Sequence, residues 1–186
     1  RRWRWWRARG LGVAGVDALV AQAKARRNGL TVGTTGASSF QAFATVALQK
    51  AAGIDLLAVP YKGGAPLATD LLGGQIDLAV MAMPGAMPHV RAGKLTLLGL
   101  LIDKRLTSAP ELPTVDEGAA VKGVNMQIWA GIGGPPGLPA PIVETLNATV
   151  RDILTDREFN ERRIRNGDQP VTPMSAAEFG RFLGAE

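Results

Sequence analysis

Apolar residues recur along this chain at two alternating periods, and the switches between them divide it into elements. Across residues 16–27, Val16, Leu19, Val20 and Ala23 fall at helical spacing, and Asn28-Gly29 closes the helix. Leu30 and Val32 then suit a buried strand. The next turn holds Gly33 and Gly36, where a Cβ would restrict the backbone, and Ser38 or Ser39 can cap a helix. That helix is predicted by Phe40, Phe43, Ala44, Ala47, Leu48 and Ala51 on one face of a 3.6-residue period, with Gly53 at its C-terminal cap. A second strand over 54–59 stops at Pro60. Residues 61–64 make another permissive turn, and a short helix over 65–72 carries Pro66 in its first turn. A strand over 76–81, a helical turn over 84–91 and a strand over 95–101 complete the alternation. The order predicts an α/β fold with a mostly parallel sheet covered by helices on both faces.

The pattern changes beyond residue 105. Two prolines interrupt 106–113, residues 114–119 read as a capped helical turn, and 124–132 reads as a strand around Trp129, a core position. Residues 133–139 are loop, and Pro141 opens a helix with Val143, Leu146, Val150, Ile153 and Leu154 on one face. Asp156 can cap a helix that runs to Asn166-Gly167, and Ser175 can cap a last one.

Composition narrows the chemistry. A 186-residue chain that is 46% hydrophobic can bury a core. Without cysteine it has neither disulfides nor thiolate metal sites, and one histidine cannot assemble a metal cluster, so no metal or cofactor is expected. No apolar run reaches the length of a membrane span, and the sequence opens without methionine or a signal peptide. The net charge of +5 has a local origin. Arg1, Arg2, Arg4, Arg7 and Arg9 supply five of the 21 basic residues, and the remainder balances the 16 acidic ones. Trp3, Trp5 and Trp6 interleave with these arginines, a composition able to hold anionic surfaces. Sharing no pattern with the rest of the chain, residues 1–15 read as an atypical appended arm, dispensable for recognition and without a specific nucleic-acid partner.

The turn at residues 33–39 carries the candidate chemistry. A helix that begins behind a bare turn leaves N–H groups and a partial positive charge pointing outward, which suits a carboxylate or a phosphate. Such turns also carry Gly and Ser simply because the chain reverses. A Walker loop is excluded, because no lysine occurs between Lys24 and Lys50. A nucleotide- or phosphate-binding α/β enzyme is the alternative reading, though the chain offers neither a nucleophile–base pair nor GxGxxG spacing. Lys62 could attract an anion or simply be solvated. His89 reads as a packing or capping residue, and Asp77 as a strand end with local hydrogen bonds.

Five motifs in order point to one family. They are Val59-Pro-Tyr-Lys-Gly-Gly64, Leu71-Leu-Gly-Gly-Gln-Ile-Asp77, Pro88-His-Val-Arg-Ala-Gly-Lys-Leu95, Leu112-Pro-Thr-Val-Asp-Glu-Gly118, and Trp129-Ala-Gly131 followed by Pro135-Pro-Gly-Leu-Pro139. Their succession over residues 17–186 resembles the Bug (TctC) receptors, the extracytoplasmic substrate-binding proteins of tripartite tricarboxylate transporters. The resemblance implies a periplasmic-binding-protein-like (type II) fold, one lobe largely complete and the other partial. Residues 16–105 would be the second lobe with its ligand loop, 106–128 a crossover, and 129–186 a partial return to a first lobe whose opening strands are missing from what reads as a truncated form.

By the same resemblance the protein would be a periplasmic, monomeric, non-enzymatic receptor that captures a small carboxylate and delivers it to a membrane permease. The ligand loop would comprise Thr34, Thr35, Gly36, Ala37, Ser38 and Ser39, with Tyr61, Lys62 and Gly63 on the next loop beside the cleft. Three positions depart from the family pattern. Ala42 stands where a histidine is usual, Met81 and Ala82 replace a polar pair, and Leu101 replaces a threonine, so a less polar cleft wall is expected. With half of the clamp missing, any binding is expected to be no tighter than about millimolar, roughly 4 kcal/mol.

Overall fold

The computed structural model describes residues 3–8, 11–26, 29–106, 109–126, 131–165 and 171–185. They divide into two compact units, Arg1–Ile128 and Trp129–Glu186. In the first, the strands β1 (Trp3–Ala8), β2 (Leu30–Thr34), β3 (Leu56–Pro60), β4 (Leu78–Ala82) and β5 (Leu95–Leu100) form one sheet in the order β3-β2-β4-β1-β5. The helices α1 (Val16–Ala25), α2 (Phe40–Ala52), α3 (Gly64–Leu72) and α4 (Met83–Arg91) connect them.

Strands β2, β3 and β4 pair in parallel, as the alternation of strand and helix requires. The stretch read as an appended arm behaves otherwise. Its residues in β1 pair antiparallel with β4 on one edge and β5 on the other, Trp5 lying opposite both Val80 and Gly99. The sheet is therefore mixed, and an Arg/Trp-rich strand lies inside it. Its sequence lacks a two-residue alternation of apolar and polar positions, so the signal that found the other strands is missing here. What holds β1 in place is backbone pairing along both edges, which is indifferent to side chains.

The sheet is covered on both faces. Leu78 and Val80 of β4 pack with Leu19, Leu30, Val32, Leu48 and Leu98, while the alternate residues Ala79 and Met81 pack with Leu67, Leu71, Ile76 and Ala86. Gly33 lets the second layer close. A Cβ there would stand 2.7 Å from Ile76 Cδ1 and 2.8 Å from Leu67 Cγ, inside van der Waals contact.

Helix α2 is turned relative to its apolar spacing. Its buried face is Gln41, Ala44, Thr45, Leu48 and Ala52, whereas Phe43 is 61% exposed. Two polar residues can be buried because each is satisfied. Thr45 Oγ1 donates to the Gln41 carbonyl at 2.8 Å, and Thr35 Oγ1 donates to Gln41 Oε1 at 3.0 Å. Ser39, not Ser38, is the cap, accepting from Ala42 N at 3.2 Å. Leu101 is fully buried in the core.

Asp77 makes long-range rather than local bonds. Its Oδ2 accepts from both the Thr31 backbone N–H and the Thr31 hydroxyl at 2.8 Å, and Arg26 Nη1 donates to its Oδ1 at 3.1 Å. These bonds fix the entrance of β4 against that of β2.

The stretch after β5 folds back onto the rest of the first unit. Leu100 N donates to the Pro113 carbonyl at 2.9 Å, and Ala119 N and Ala120 N donate to the Asp17 carboxylate at 2.9 Å each. Those two amides hold the Asp17 carboxyl below its ordinary range. Residues Val115–Glu117 form a 3-10 turn. Arg105 Nε donates to Glu117 Oε1 at 2.7 Å, and Thr114 N donates to the same oxygen at 3.0 Å. Hydrogen bonding from Arg105 draws the Glu117 carboxyl from 4.5 down to about 2, despite some desolvation.

The second unit holds α5 (Ala140–Thr155), α6 (Arg157–Arg165) and α7 (Ala176–Ala185). Asp156 caps α6, accepting from Phe159 N at 2.7 Å. Ser175 and Glu178 cap α7 reciprocally, Ser175 N donating to Glu178 Oε2 and Glu178 N to Ser175 Oγ. No side chain of these helices is buried, and Leu146 and Ile153 on the predicted apolar stripe of α5 are 51% and 48% exposed. The strand expected over 124–132 is not formed at 124–126 or 131–132, and Trp129 and Asn166-Gly167 lie outside the described residues.

Two outcomes are expected. A chain lacking residues 1–10 should lose cooperative thermal unfolding, because β4 and β5 would both be left with an open edge in a unit whose whole net stability is of order 5–15 kcal/mol. An unchanged melting temperature would show that β1 is not part of the sheet. The Glu117 carboxyl is more acidic folded than unfolded, so its contribution is present above pH 4.5 and lost as the pH falls toward about 2. Glu117→Gln should flatten that part of the stability–pH curve, by less than about 1 kcal/mol because both partners are well exposed. Identical acid limbs in urea titrations would contradict this.

Candidate functional site

Strands β2, β3 and β4 run in parallel, so they finish at the same edge of the sheet, at Thr34, Pro60 and Ala82, and α2, α3 and α4 begin beyond them. The chain leaves β2 toward β3 on one side and returns to β4 on the other, which opens a crevice between the two connections. A cleft of about 560 Å³ lies there.

Its walls come from four places. Thr35 and Gln41 belong to the turn and first residues of α2, and Gly63, Gly64 and Ala65 to the start of α3. Leu67 and Ala68 line it one turn further along α3, and Val80, Met81, Ala82 and Gly85 line it from the end of β4 and the start of α4. None of these side chains is ionisable. The polar character of the cleft comes from hydroxyl, amide and backbone groups.

Backbone donors are plentiful. Neither Gly63 before α3 nor Ala82 before α4 supplies a side-chain cap, and the opening N–H groups of a helix have no intrahelical acceptor. Pro66 and Pro84 carry no N–H, which leaves Gly64, Ala65, Met83 and Gly85 as the donors at these two ends. Both helix dipoles place partial positive charge at the same crevice. Gln41, whose amide oxygen is engaged by Thr35, keeps its amide nitrogen as a donor.

Of the residues expected at the site, Thr35 and Gly63 line the cleft, and the others are placed differently. Thr34 is buried, and its carbonyl accepts from Tyr61 N at 2.8 Å, which ties the two loops together. Gly36, in the left-handed region at φ 114°, starts a turn that closes on itself. Ser39 N and Ser39 Oγ both donate to the Gly36 carbonyl, at 3.1 and 2.7 Å. Ala37, Ser38 and Lys62 are exposed and outside the lining.

Tyr61 is half-buried, and its hydroxyl donates to Asp70 Oδ2 at 2.8 Å. Burial, reinforced by the hydrogen bond to Asp70 and its negative charge, pushes the phenol up to about 12. Tyr61 is thus committed to holding its loop on α3.

Sequence reasoning missed Gln41, Gly64, Ala65, Leu67, Ala68, Val80 and Gly85. Small residues are in the lining because they leave backbone accessible, and Gly and Ala announce no chemistry of their own. Gln41 did leave a signal, since it keeps a helical stride with Thr45, Leu48 and Ala52.

A family model described as tripartite tricarboxylate transporter family receptor matches residues 11–186. A protein of the TAR-I ttuE-ttuC' intergenic region of Agrobacterium vitis is 34% identical over 153 residues, covering 82% of this chain and 44% of that protein. BugT of Bordetella pertussis is 31% identical, covering 84% of this chain and 48% of its own length. Among solved structures, an R. palustris protein with adipate superposes with a TM-score of 0.89 at 29% identity, over 99% of this chain and 61% of that one. The periplasmic binding protein BugD superposes with a TM-score of 0.80 at 30% identity, over 89% of this chain and 56% of its own. The chain spans about half the length of these relatives.

Tyr61 is the single tyrosine of the sequence, so its titration can be followed alone by difference absorbance. Its midpoint is expected near 12 rather than the ordinary 10. Because the folded value is the higher, stability should be intact below pH 10 and decline as the pH rises toward 12. A midpoint at 10 would mean that Tyr61 is neither buried nor bonded to Asp70.

Proposed function

Since this chain belongs to the tripartite tricarboxylate transporter receptor family, we propose that its Arg1–Ile128 unit seats the carboxylate of a small solute in the cleft where α3 and α4 begin. One observation carries this reading. Two helices without side-chain caps start at the same crevice, beside Thr35 and Gln41, and their N–H groups need acceptors. A carboxylate accepts several such bonds at once, and charge on the acceptor strengthens each of them. The relative solved with adipate contains an anion of the same class.

The chemistry is recognition without turnover. The lining offers neither a nucleophile–base pair nor an acid, and capture requires neither. The protein acts as a monomeric periplasmic receptor that delivers the solute to a membrane permease. Thr34, Gly36, Ala37, Ser38, Ser39 and Tyr61 shape the loops, and Thr35 and Gly63 meet the ligand together with Gln41, Gly64 and Ala65. Lys62 stays in solvent. The phosphate-enzyme alternative gains no support, because no cation lines the cleft to match a doubly charged group.

Titrating the isotope-labelled chain with a panel of small mono- and dicarboxylates tests this. Saturable amide shifts should gather at Thr35, Gln41, Gly64, Ala65, Met83 and Gly85. Gln41→Leu should weaken binding by about tenfold, the worth of one hydrogen bond to a charged acceptor, while Lys62→Ala should stay within about twofold. Stronger binding of inorganic phosphate or ATP, or loss of binding in Lys62→Ala, would overturn the assignment.

A further inference from the structure

We infer that the solute this chain selects is a monocarboxylate with an apolar body, an inference that rests on the carboxylate reading of the same cleft. The two parts of the cleft differ in chemistry. Its neutral donors, Gln41 and the openings of α3 and α4, are gathered at one end of the sheet and amount to a receptor for a single anion. Most of the remaining wall is hydrocarbon, from Ala65, Ala68, Met81 and Ala82, backed by Leu67 and Val80. Ala65, Ala68 and Ala82 keep accessible surface there, and Leu67 and Val80, at most 1% exposed, lie behind them with Met81 as packed core, so the wall is fixed and cannot turn away to admit water.

A second carboxylate pressed against such a wall would lose hydration and gain no counter-charge. That cost is the largest of any common functional group. Lys62 does not remedy it, because it is exposed and outside the lining although its neighbour Gly63 is within it. A methyl or methylene end in the same place would gain from leaving water. The preference therefore arises from what the wall refuses as well as from what it accepts.

Hexanoate and adipate form a matched pair, with the same number of carbons and one carboxylate or two. In parallel amide-shift titrations of the full 186-residue chain, hexanoate should bind at least tenfold more tightly than adipate. Ala82→Arg, which places a cation on the wall at a half-buried position, should shift the ratio toward adipate by at least tenfold. The wild-type ratio decides on its own. Adipate binding as tightly as hexanoate or more tightly would overturn this inference and leave the carboxylate site standing. No saturable binding of either acid, or of any carboxylate in the panel, would overturn both.

Discussion

Backbone pairing at β4 is the constraint on which the first unit depends. β4 is bonded in parallel to β2 at Leu78 and Ala79 on one edge and antiparallel to β1 from Leu78 to Ala82 on the other. Both of its faces are buried as well, Leu78 and Val80 against one layer and Ala79 and Met81 against the other. Beyond the pairing with β2, its last residues, Val80 to Ala82, stay paired to β1 and stand as a wall of the cleft, and the start of α4 is delivered to the crevice that β2 and α3 also reach. Asp77 bonding to Thr31 at the entrance of β4, and Gly33 admitting Leu67 and Ile76, secure the same register from the opposite end and from the side.

Much of this could be read in the sequence, for physical reasons. The parallel strands β2 and β4 are buried on both faces and appear as short apolar runs, the helices after them repeat at a 3.6-residue stride, and Ser39 caps α2 as Asp156 and Ser175 cap α6 and α7. Where reading failed, the information lay outside local pattern. β1 carries tryptophan and arginine in place of an apolar alternation, and its position comes from the two edges it satisfies. The face of α2 was misjudged because hydrogen bonds to Gln41 and Thr45 bury polar side chains that hydrophobic spacing would turn outward.

The site divides in the same way. The serines and threonines of the turn were conspicuous, yet Ser39 bonds within its own loop and Thr34 is buried, and apart from Thr35 and Gln41 the crevice is lined by glycine, alanine, aliphatic and methionine side chains. Those residues act through what they leave accessible, which a residue-by-residue search for donors does not register. Met81 and Ala82 stood out as departures from the family pattern toward lower polarity, and both line the cleft. Lys62 and Ser38, outside the lining, carried the more familiar chemistry.

A heavy-atom-labelled ligand offers the most direct test, because it reports both ends of the solute at once. Crystals of the chain soaked with 6-bromohexanoate should give an anomalous bromine peak against Ala68 and Met81, with the carboxylate at the openings of α3 and α4. A bromine peak at the exposed turn of Ala37 and Ser38, or a carboxylate held by Lys62, would contradict the assignment of this cleft as the binding site.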